Sequence, residues 1–193
     1  IELALVRLSD CTGDERYLRL AEFFVDKRGT SKKDEDNVHY ISLDYSQCHM
    51  PVREMSDAVG HSVRAVYLYS AMADLALRTG DSELLEACRR VFNSIAQKRM
   101  YITGGIGSTA YGERFTEDYD LPNDLAYSET CASIGLALFA RRMSLVDPNS
   151  KYADIAETAI YNCALAGVSL KGNSFFYVNP LEINLERHRL GAE

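Results

Sequence analysis

The feature that most constrains the fold is a helix-starting segment that recurs at a fixed interval. TGDERYLRLAEFFVDKR begins at Thr12, TGDSELLEACRRVFNSIAQKR begins at Thr79, and VDPNSKYADIAETAIYNCAL begins at Val146, so successive copies lie 67 residues apart. In each copy an Asp or Asn precedes apolar residues at helical spacing, which is typical of an N-capped amphipathic helix. The chain therefore contains three copies of one helical unit.

A second helix is predicted before each capped helix, in IELALVRLSDC, GHSVRAVYLYSAMADLALR and TCASIGLALFARRMSL. These segments are richer in small residues and apolar on more than one side, as expected of an inner layer covered by the capped helices. A helix pair cannot bury its faces alone, so the pairs must stack into a solenoid or close into a ring. We predict an all-α domain in which residues 1–193 form about half of an (α/α)6 barrel, truncated at both ends.

The connections differ greatly in length. The turns inside each pair are short, whereas residues 29–58 and 99–126 are long, polar loops that carry Gly and Pro. If the helices run alternately up and down, both loops emerge at the same end of the half-ring. Because long loops in a compact domain are usually functional, we expect the site at that end. We also expect a short β segment near residues 168–181.

Composition excludes several classes of partner. A net charge of -7 and a pI near 5.2 argue against binding to nucleic acid or to an anionic membrane. No segment approaches the roughly 20 apolar residues of a membrane span, and no signal-peptide pattern opens the chain. We therefore expect a cytoplasmic protein.

The chain begins at Ile1 inside an amphipathic run, which indicates a fragment of a longer protein. An open half-ring would leave apolar faces exposed, so we expect the isolated fragment to self-associate through them.

The five cysteines do not form a disulfide framework, because their number is odd, their spacing is wide and no CxxC pair occurs. Cys11, Cys88 and Cys163 lie in apolar helical patterns, where a thiol usually acts as a small hydrophobic group. Only Cys131, and less clearly Cys48, has polar neighbours.

The second long loop combines glycines with carboxylates. Six carboxylates fall within 17 residues: Glu113, Glu117, Asp118, Asp120, Asp124 and Glu129. Crowded carboxylates raise one another's pKa values, which is how a glycosidase obtains a proton donor at neutral pH. A solvated acidic loop is the commoner explanation of such a cluster. We expect Gly104, Gly105 and Gly107 to allow left-handed turns and a close approach of the backbone to a ligand.

His61 and Cys131 are further candidates, and Cys131 must be considered together with Glu129. His61 stands at the first turn of an inner helix, where a lone histidine is more often structural. Glu129 and Cys131 would point about 200° apart on a regular helix, so they share an ion only if the backbone at 129–131 is still extended or irregular. Thr130 is a candidate N-cap. A thiolate and a carboxylate suit zinc, but two ligands do not make a site, and the pattern alone favours a buried structural role for Cys131.

The run MYITGGIGSTAYGERFTEDYDLPNDLAYSETCASIGLALFARRM closely resembles the zinc-dependent β-L-arabinofuranosidases of glycoside hydrolase family 127 and its relatives. The likeness extends over PVREMSDAVGHSVRAVYLYSAMADLA and FFYVNPLE, and it implies an (α/α)6-barrel catalytic domain that acts on carbohydrate. It implies Glu113 of GERFT as the general acid/base of a retaining mechanism, and Glu129 and Cys131 of ETC as zinc ligands. It also suggests that His61 and Tyr177 line the sugar pocket.

The same resemblance places the nucleophile and the other zinc ligands on a Cys-Cys pair that follows FFYVNPLE, and no such pair occurs before Glu193. On this reading the fragment alone is inactive. Two other classes of function stay open. One is a non-catalytic helical repeat module that binds a partner. The other is a different barrel enzyme acting on sugars, such as a uronyl hydrolase or an epimerase.

Overall fold

The computed structural model describes residues 1–30, 42–183 and 185 of the chain. Its α-helices follow one another as three pairs: α1 (Glu2–Thr12) and α2 (Glu15–Lys27), α3 (Ser62–Thr79) and α4 (Ser82–Ser94), α5 (Thr130–Val146) and α6 (Ser150–Ala159). Each pair coincides with one copy of the 67-residue repeat. The predicted all-α architecture of helical hairpins is therefore confirmed.

Local capping explains where each hairpin turns. The side chains of Asp14, Asp81 and Asn149 each accept a hydrogen bond from a backbone N–H in the first turn of the outer helix that follows. Such a cap satisfies one of the donors that a helix start leaves unpaired. Gly13 and Gly80 end α1 and α3 with φ of 71° and 72°, a left-handed conformation that glycine adopts without steric cost.

The helices form two layers. α3 packs against α1 on one side and α5 on the other, and α2, α4 and α6 cover the helices of their own pairs. Four aromatic rings, one from each of α3, α4, α5 and α6, pack against one another between the layers. The centroid of Phe139 lies 5.7 Å from that of Tyr69 and 5.4 Å from that of Phe92, and the centroid of Phe92 lies 4.7 Å from that of Tyr152. Tilted and edge-to-face contacts of this kind add about 0.5–1.5 kcal/mol each to the burial of the rings.

One carboxylate joins the three inner helices. Asp74 of α3 accepts a hydrogen bond of 2.8 Å from Nε of Arg142 on α5, and both side chains are about nine-tenths buried. Nη2 of Arg7 on α1 lies 3.9 Å from the same carboxylate oxygen. Removing one partner of such a pair leaves a charge buried and uncompensated, so Asp74 fixes the spacing of the inner layer.

The two long loops meet at one end of the half-ring, as predicted. Arg114 in the second loop pairs with Asp44 in the first, and the N–H of Phe115 donates over 3.0 Å to the carbonyl of Gly60, which lies between the first loop and α3. Gly60 has φ 73°, and a Cβ there would lie 2.0 Å from the carbonyl oxygen of Asp44. Only glycine lets the first loop pass this point and enter α3.

The predicted β segment near 168–181 forms isolated β-bridges rather than a continuous strand. Among the described residues it makes isolated bridges, with Val168 paired to Phe175 and Val178 paired to Glu129. The second pairing cannot extend, because the chain turns into α5 directly after Glu129. No helix in the described part of the chain is long and apolar enough to cross a membrane.

The cysteines are all unpaired. Cys88 and Cys163 are buried, as predicted, whereas Cys11 is exposed on α1, so the expectation of burial is wrong for that residue. The buried face of α1 is formed by Glu2, Val6 and Ser9, a spacing that leaves position 11 on the outer side.

Candidate active site and metal centre

Three side chains from separate parts of the chain converge where the two loops meet. One potential ligand atom from each of His61, Glu113 and Glu129 lies within 4.8 Å of the others. His61 is the N-cap of α3, Glu113 lies in the second loop, and Glu129 is the N-cap of α5. A long loop and the starts of two neighbouring inner helices therefore build one site.

Glu113 is held in an uncommon backbone conformation. It ends a short 3-10 turn, Tyr111–Glu113, in which Gly112 and Glu113 have φ of 68° and 50°. A non-glycine residue in this region costs of order 1–3 kcal/mol and persists only where surrounding contacts impose it. The hydroxyl of Ser62 donates to the carbonyl oxygen of Glu113 over 3.1 Å, which ties the turn to the start of α3.

Both carboxylate oxygens of Glu113 have partners. Oε2 lies 2.8 Å from Nε2 of His61, and Oε1 accepts a hydrogen bond of 2.9 Å from the hydroxyl of Tyr127. Nδ1 of His61 accepts the backbone N–H of Arg64, so in the neutral ring the hydrogen is on Nε2 and is donated to Glu113. Burial, followed by the bond to Glu113, raises the pKa of Tyr127 above its ordinary value, which keeps the phenol a donor.

Glu129 carries an unsatisfied oxygen. The residue is only 3% exposed, and its Oε2 is buried without a hydrogen-bond partner among the described residues. Interaction with the Glu129 carboxylate raises the pKa of Tyr177 to about 12, which places that phenol beside it. A buried carboxylate oxygen without a donor is costly, and a bound cation would satisfy it.

Cys131 lies in the first turn of α5, half-buried beside Glu129. Burial, followed by the neighbouring carboxylate, raises the pKa of its thiol. The helix begins at Thr130, so the N-cap is Glu129, with φ -61° and ψ 135°, and the assignment of the cap to Thr130 is wrong. Because Glu129 is extended rather than helical, the opposed directions of a regular i, i+2 pair do not apply. The Glu129 carboxylate is close enough to raise the pKa of the Cys131 thiol, but among the described residues Sγ of Cys131 does not belong to the group of ligand atoms within 4.8 Å of one another.

The segment 175–179 docks on the start of α5 and brings Tyr177 to the site. The N–H of Thr130 donates to the carbonyl of Tyr177 over 3.0 Å, and its hydroxyl donates to the carbonyl of Phe176 over 2.7 Å. Nδ2 of Asn179 donates to the carbonyl of Ser128 and to Oγ1 of Thr130, each over 3.0 Å. Asn179 thus clamps the segment that carries Tyr177.

Sequence reasoning missed Tyr127 and Asn179. No local pattern marks Tyr127, because Ser128 between it and Glu129 has φ 42°, so the alternation of an extended strand does not apply. No local pattern marks Asn179, because its partners lie 51 and 49 residues away. The rings of Tyr127 and Tyr177 meet edge to face with centroids 6.2 Å apart, which joins the two elements.

The acidic cluster divides into two groups. Glu113 and Glu129 turn into the site, whereas Glu117, Asp118 and Asp120 are exposed. Asp118 pairs with Lys98 and Arg99 at 2.8 and 2.5 Å. Among the residues that the structure describes, Glu113 and Glu129 are therefore the pair from this cluster that contributes to a group of ligand atoms within 4.8 Å of one another.

The glycine-rich run at residues 104–107 packs against Ser128, the residue before Glu129. Gly104 and Gly107 have φ of 82° and 87°, as predicted, but Gly105 is not left-handed. The close approach is made to the protein and not to a ligand, since a Cβ at Gly105 would lie 1.8 Å from Oγ of Ser128. Ser128 is buried with φ 42° and donates its N–H to Gly107 over 2.8 Å. Because these positions are glycine, the loop backbone can pack closely against Ser128.

At one end of the three helix pairs two carboxylates turn inward beside a histidine, and comparison with known proteins shows the family to which such a chain belongs. Residues 1–192 match the family described as β-L-arabinofuranosidase, glycoside hydrolase family 127 catalytic domain. The chain belongs to this family.

Two relatives that align with nearly all of this chain are β-L-arabinofuranosidases. The chain is 40% identical to the non-reducing end β-L-arabinofuranosidase of Bifidobacterium longum, with 98% of this chain and 32% of that protein aligned. A crystal structure of a family 127 β-L-arabinofuranosidase from Geobacillus stearothermophilus superposes with a TM-score of 0.91 at 47% identity, covering 96% of this chain and 31% of that one. The chain thus spans about a third of the length of these relatives.

A more distant structure, a sugar epimerase from a ruminal bacterium, covers 91% of this chain and 45% of its own at 16% identity and a TM-score of 0.55. At that identity the likeness shows the α/α toroid fold alone.

Proposed function

We propose that the protein containing this chain hydrolyses L-arabinofuranosides with retention, and that Glu113 is its general acid/base. The supporting observation is the convergence of Glu113, His61 and Glu129 from separate segments, with Tyr127 and Tyr177 arranged around them. Family membership and the activity printed for its relatives give the reaction class. A non-catalytic module would gain nothing from holding two carboxylates so close together.

Glu129 and Cys131 fit a zinc ion. The unsatisfied Oε2 of Glu129 offers a buried carboxylate oxygen, and the thiol of Cys131 lies beside it. Carboxylate, thiolate and imidazole are the protein ligands that zinc takes. Although His61 belongs to the same cluster, its Nε2–H is given to Glu113, so we assign it to the sugar pocket. Zinc, when bound, would keep coordinating thiols ionised at neutral pH.

The remaining ligands and the nucleophile are expected from a Cys-Cys pair outside these residues, so this chain supplies the acid/base side of the reaction. Glu113 gives its proton to the glycosidic oxygen as the bond from that oxygen to the anomeric carbon breaks. In the second half of a retaining reaction the Glu113 carboxylate takes a proton from the attacking water. Tyr177 would meanwhile contact a sugar hydroxyl, and His61, whose two ring nitrogens already bond Glu113 and the N–H of Arg64, would line the pocket with its ring.

The test uses the full-length protein with an aryl β-L-arabinofuranoside. Replacing Glu113 by Gln removes the transferable proton, and general acid–base catalysis is worth about 10²–10⁴-fold. Glu117→Gln, an exposed carboxylate of the same loop, is the matched control and should retain activity. Absence of hydrolysis by the wild-type protein, or an active Glu113→Gln variant, would refute the proposal.

Chelation separates the remaining alternatives. Removing zinc should abolish turnover if Glu129 and Cys131 hold it, whereas a uronyl hydrolase or an epimerase on the same fold needs no zinc thiolate. Hydrolysis that survives complete removal of the metal would instead assign the reaction to the carboxylate pair alone.

Self-association of the isolated chain stays a prediction. Apolar residues stand exposed in the segment that follows α6: Ile160, Tyr161, Leu165, Val168, Leu170, Phe175 and Phe176. A surface of this kind favours association in water. Light scattering of the isolated chain tests this, and a monodisperse monomer would contradict it.

A further inference from the structure

The hydroxyl of Tyr127 is hydrogen-bonded directly to the carboxylate of Glu113. Its hydroxyl donates to Oε1 over 2.9 Å while His61 engages Oε2 over 2.8 Å, so the carboxylate is held from both sides. With either partner removed, the carboxylate can turn about its last side-chain bond. Proton transfer to a leaving oxygen depends on direction as well as distance, so such freedom would slow that step.

The Tyr127 ring is itself fixed. Its backbone carbonyl accepts the N–H of Asn179 over 3.2 Å, and the next residue donates its N–H to Gly107 over 2.8 Å. On the site side, the ring meets Tyr177 edge to face with centroids 6.2 Å apart. These contacts do not involve the hydroxyl, so a phenylalanine at 127 would keep the backbone and ring in place and remove only the bond to Glu113.

We propose that Tyr127 is a positioning residue for general acid catalysis: its hydroxyl aims the carboxyl group of Glu113 at the leaving oxygen. This rests on the proposed role of Glu113. Loss of the Tyr127 hydroxyl should matter most for substrates whose departing oxygen needs a proton, and least for those whose leaving group is stable as an anion.

The experiment measures kcat and KM of the full-length holoenzyme on a series of L-arabinofuranosides, from dinitrophenyl through phenyl to alkyl glycosides. For Tyr127→Phe we expect kcat/KM on the alkyl substrate to fall about 10- to 100-fold, the value of a hydrogen bond to a charged group, with little change on the dinitrophenyl substrate. KM should change little. Tyr101→Phe is the matched control, because its hydroxyl donates to the carbonyl of Pro122 in the same loop. Its leaving-group dependence should equal that of the wild type.

A double variant tests whether Tyr127 acts through Glu113. Combined with Glu113→Gln, the Tyr127→Phe change should add no further leaving-group dependence, because residues that act as a unit are not additive. Equal losses on all substrates, or additive losses in the double variant, would show a structural or direct substrate role and overturn the inference.

The same series distinguishes this failure from failure of the proposed function. If Glu113→Gln shows the leaving-group dependence and Tyr127→Phe does not, the inference alone is wrong. If Glu113→Gln itself shows none, the role of Glu113 is wrong and the inference falls with it.

Discussion

Asn179 allows a direct test of how the site is assembled. Its side-chain amide makes two hydrogen bonds to the start of α5, to the carbonyl of Ser128 and to Oγ1 of Thr130. Each such bond contributes about 0.5–1.5 kcal/mol, so Asn179→Ala should favour undocking of the Tyr177 segment by about 1–3 kcal/mol. That corresponds to an increase of about 5- to 150-fold in the local opening equilibrium.

Amide hydrogen exchange of the full-length protein measures the undocking of the Tyr177 segment at individual residues. The N–H of Thr130 stands at the first position of α5, where it has no partner within the helix, and donates to the carbonyl of Tyr177 over 3.0 Å, so its exchange reports docking. The N–H of Ser128 bonds to Gly107 and provides an internal reference. In Asn179→Ala the amide of Thr130 should exchange faster by the predicted factor, and that of Ser128 should not.

Asn173 is the matched control, since its side chain accepts only a long bond of 3.4 Å from Ser169 in an exposed turn. Asn173→Ala should leave exchange at Thr130 unchanged. Unaltered exchange at Thr130 in Asn179→Ala would refute the clamp and, with it, the account of how Tyr177 reaches Glu129.

Two further predictions concern the scaffold. Asp74→Ala leaves Arg142 buried without its partner and should cost about 3–5 kcal/mol, whereas the double replacement Asp74→Leu with Arg142→Met should recover most of it; thermal unfolding of the full-length protein measures both, and equal midpoints for the single and double variants would contradict the reasoning. Hydrogen bonds from Arg89 of α4, over 3.0 and 2.9 Å, and from the hydroxyl of Tyr152 lower the pKa of Asp147 to about 2. Because the pKa is depressed on folding, its stabilisation is present above the unfolded value near 3.8 and is lost as pH falls toward 2. Asp147→Asn should therefore reduce the acid sensitivity of the thermal midpoint below about pH 4, and an unchanged acid profile would count against it.

Much of the fold follows from local patterns. The 67-residue repeat and the caps at Asp14, Asp81 and Asn149 act within a few residues, so the sequence could predict the hairpins and their turns. The meeting of the two loops follows from the alternation of helix direction. The exposure of Cys11 was missed because α1 is short and its buried stripe is narrow.

The site was less accessible to sequence reasoning. The extended conformation of Glu129 followed from the requirement that two side chains share an ion, but the start of α5 at Thr130 was placed one residue too late. The bond of Tyr127 to Glu113 spans 14 residues and the bonds of Asn179 to the start of α5 span 51 and 49, and no local pattern encodes either kind of docking. Gly105 was expected to face a ligand and instead accommodates Ser128, because backbone conformation does not reveal what fills the space that a glycine leaves.

The central claim is that Glu129 and Cys131 bind one metal ion beside Glu113. The most direct measurement is the zinc content of the purified full-length protein with Cys131→Ala, compared with Cys11→Ala, which removes an exposed cysteine. The account predicts about one zinc per chain in the wild type and in Cys11→Ala, and a large loss of zinc with loss of turnover in Cys131→Ala. Unchanged zinc content and unchanged turnover in Cys131→Ala would contradict it.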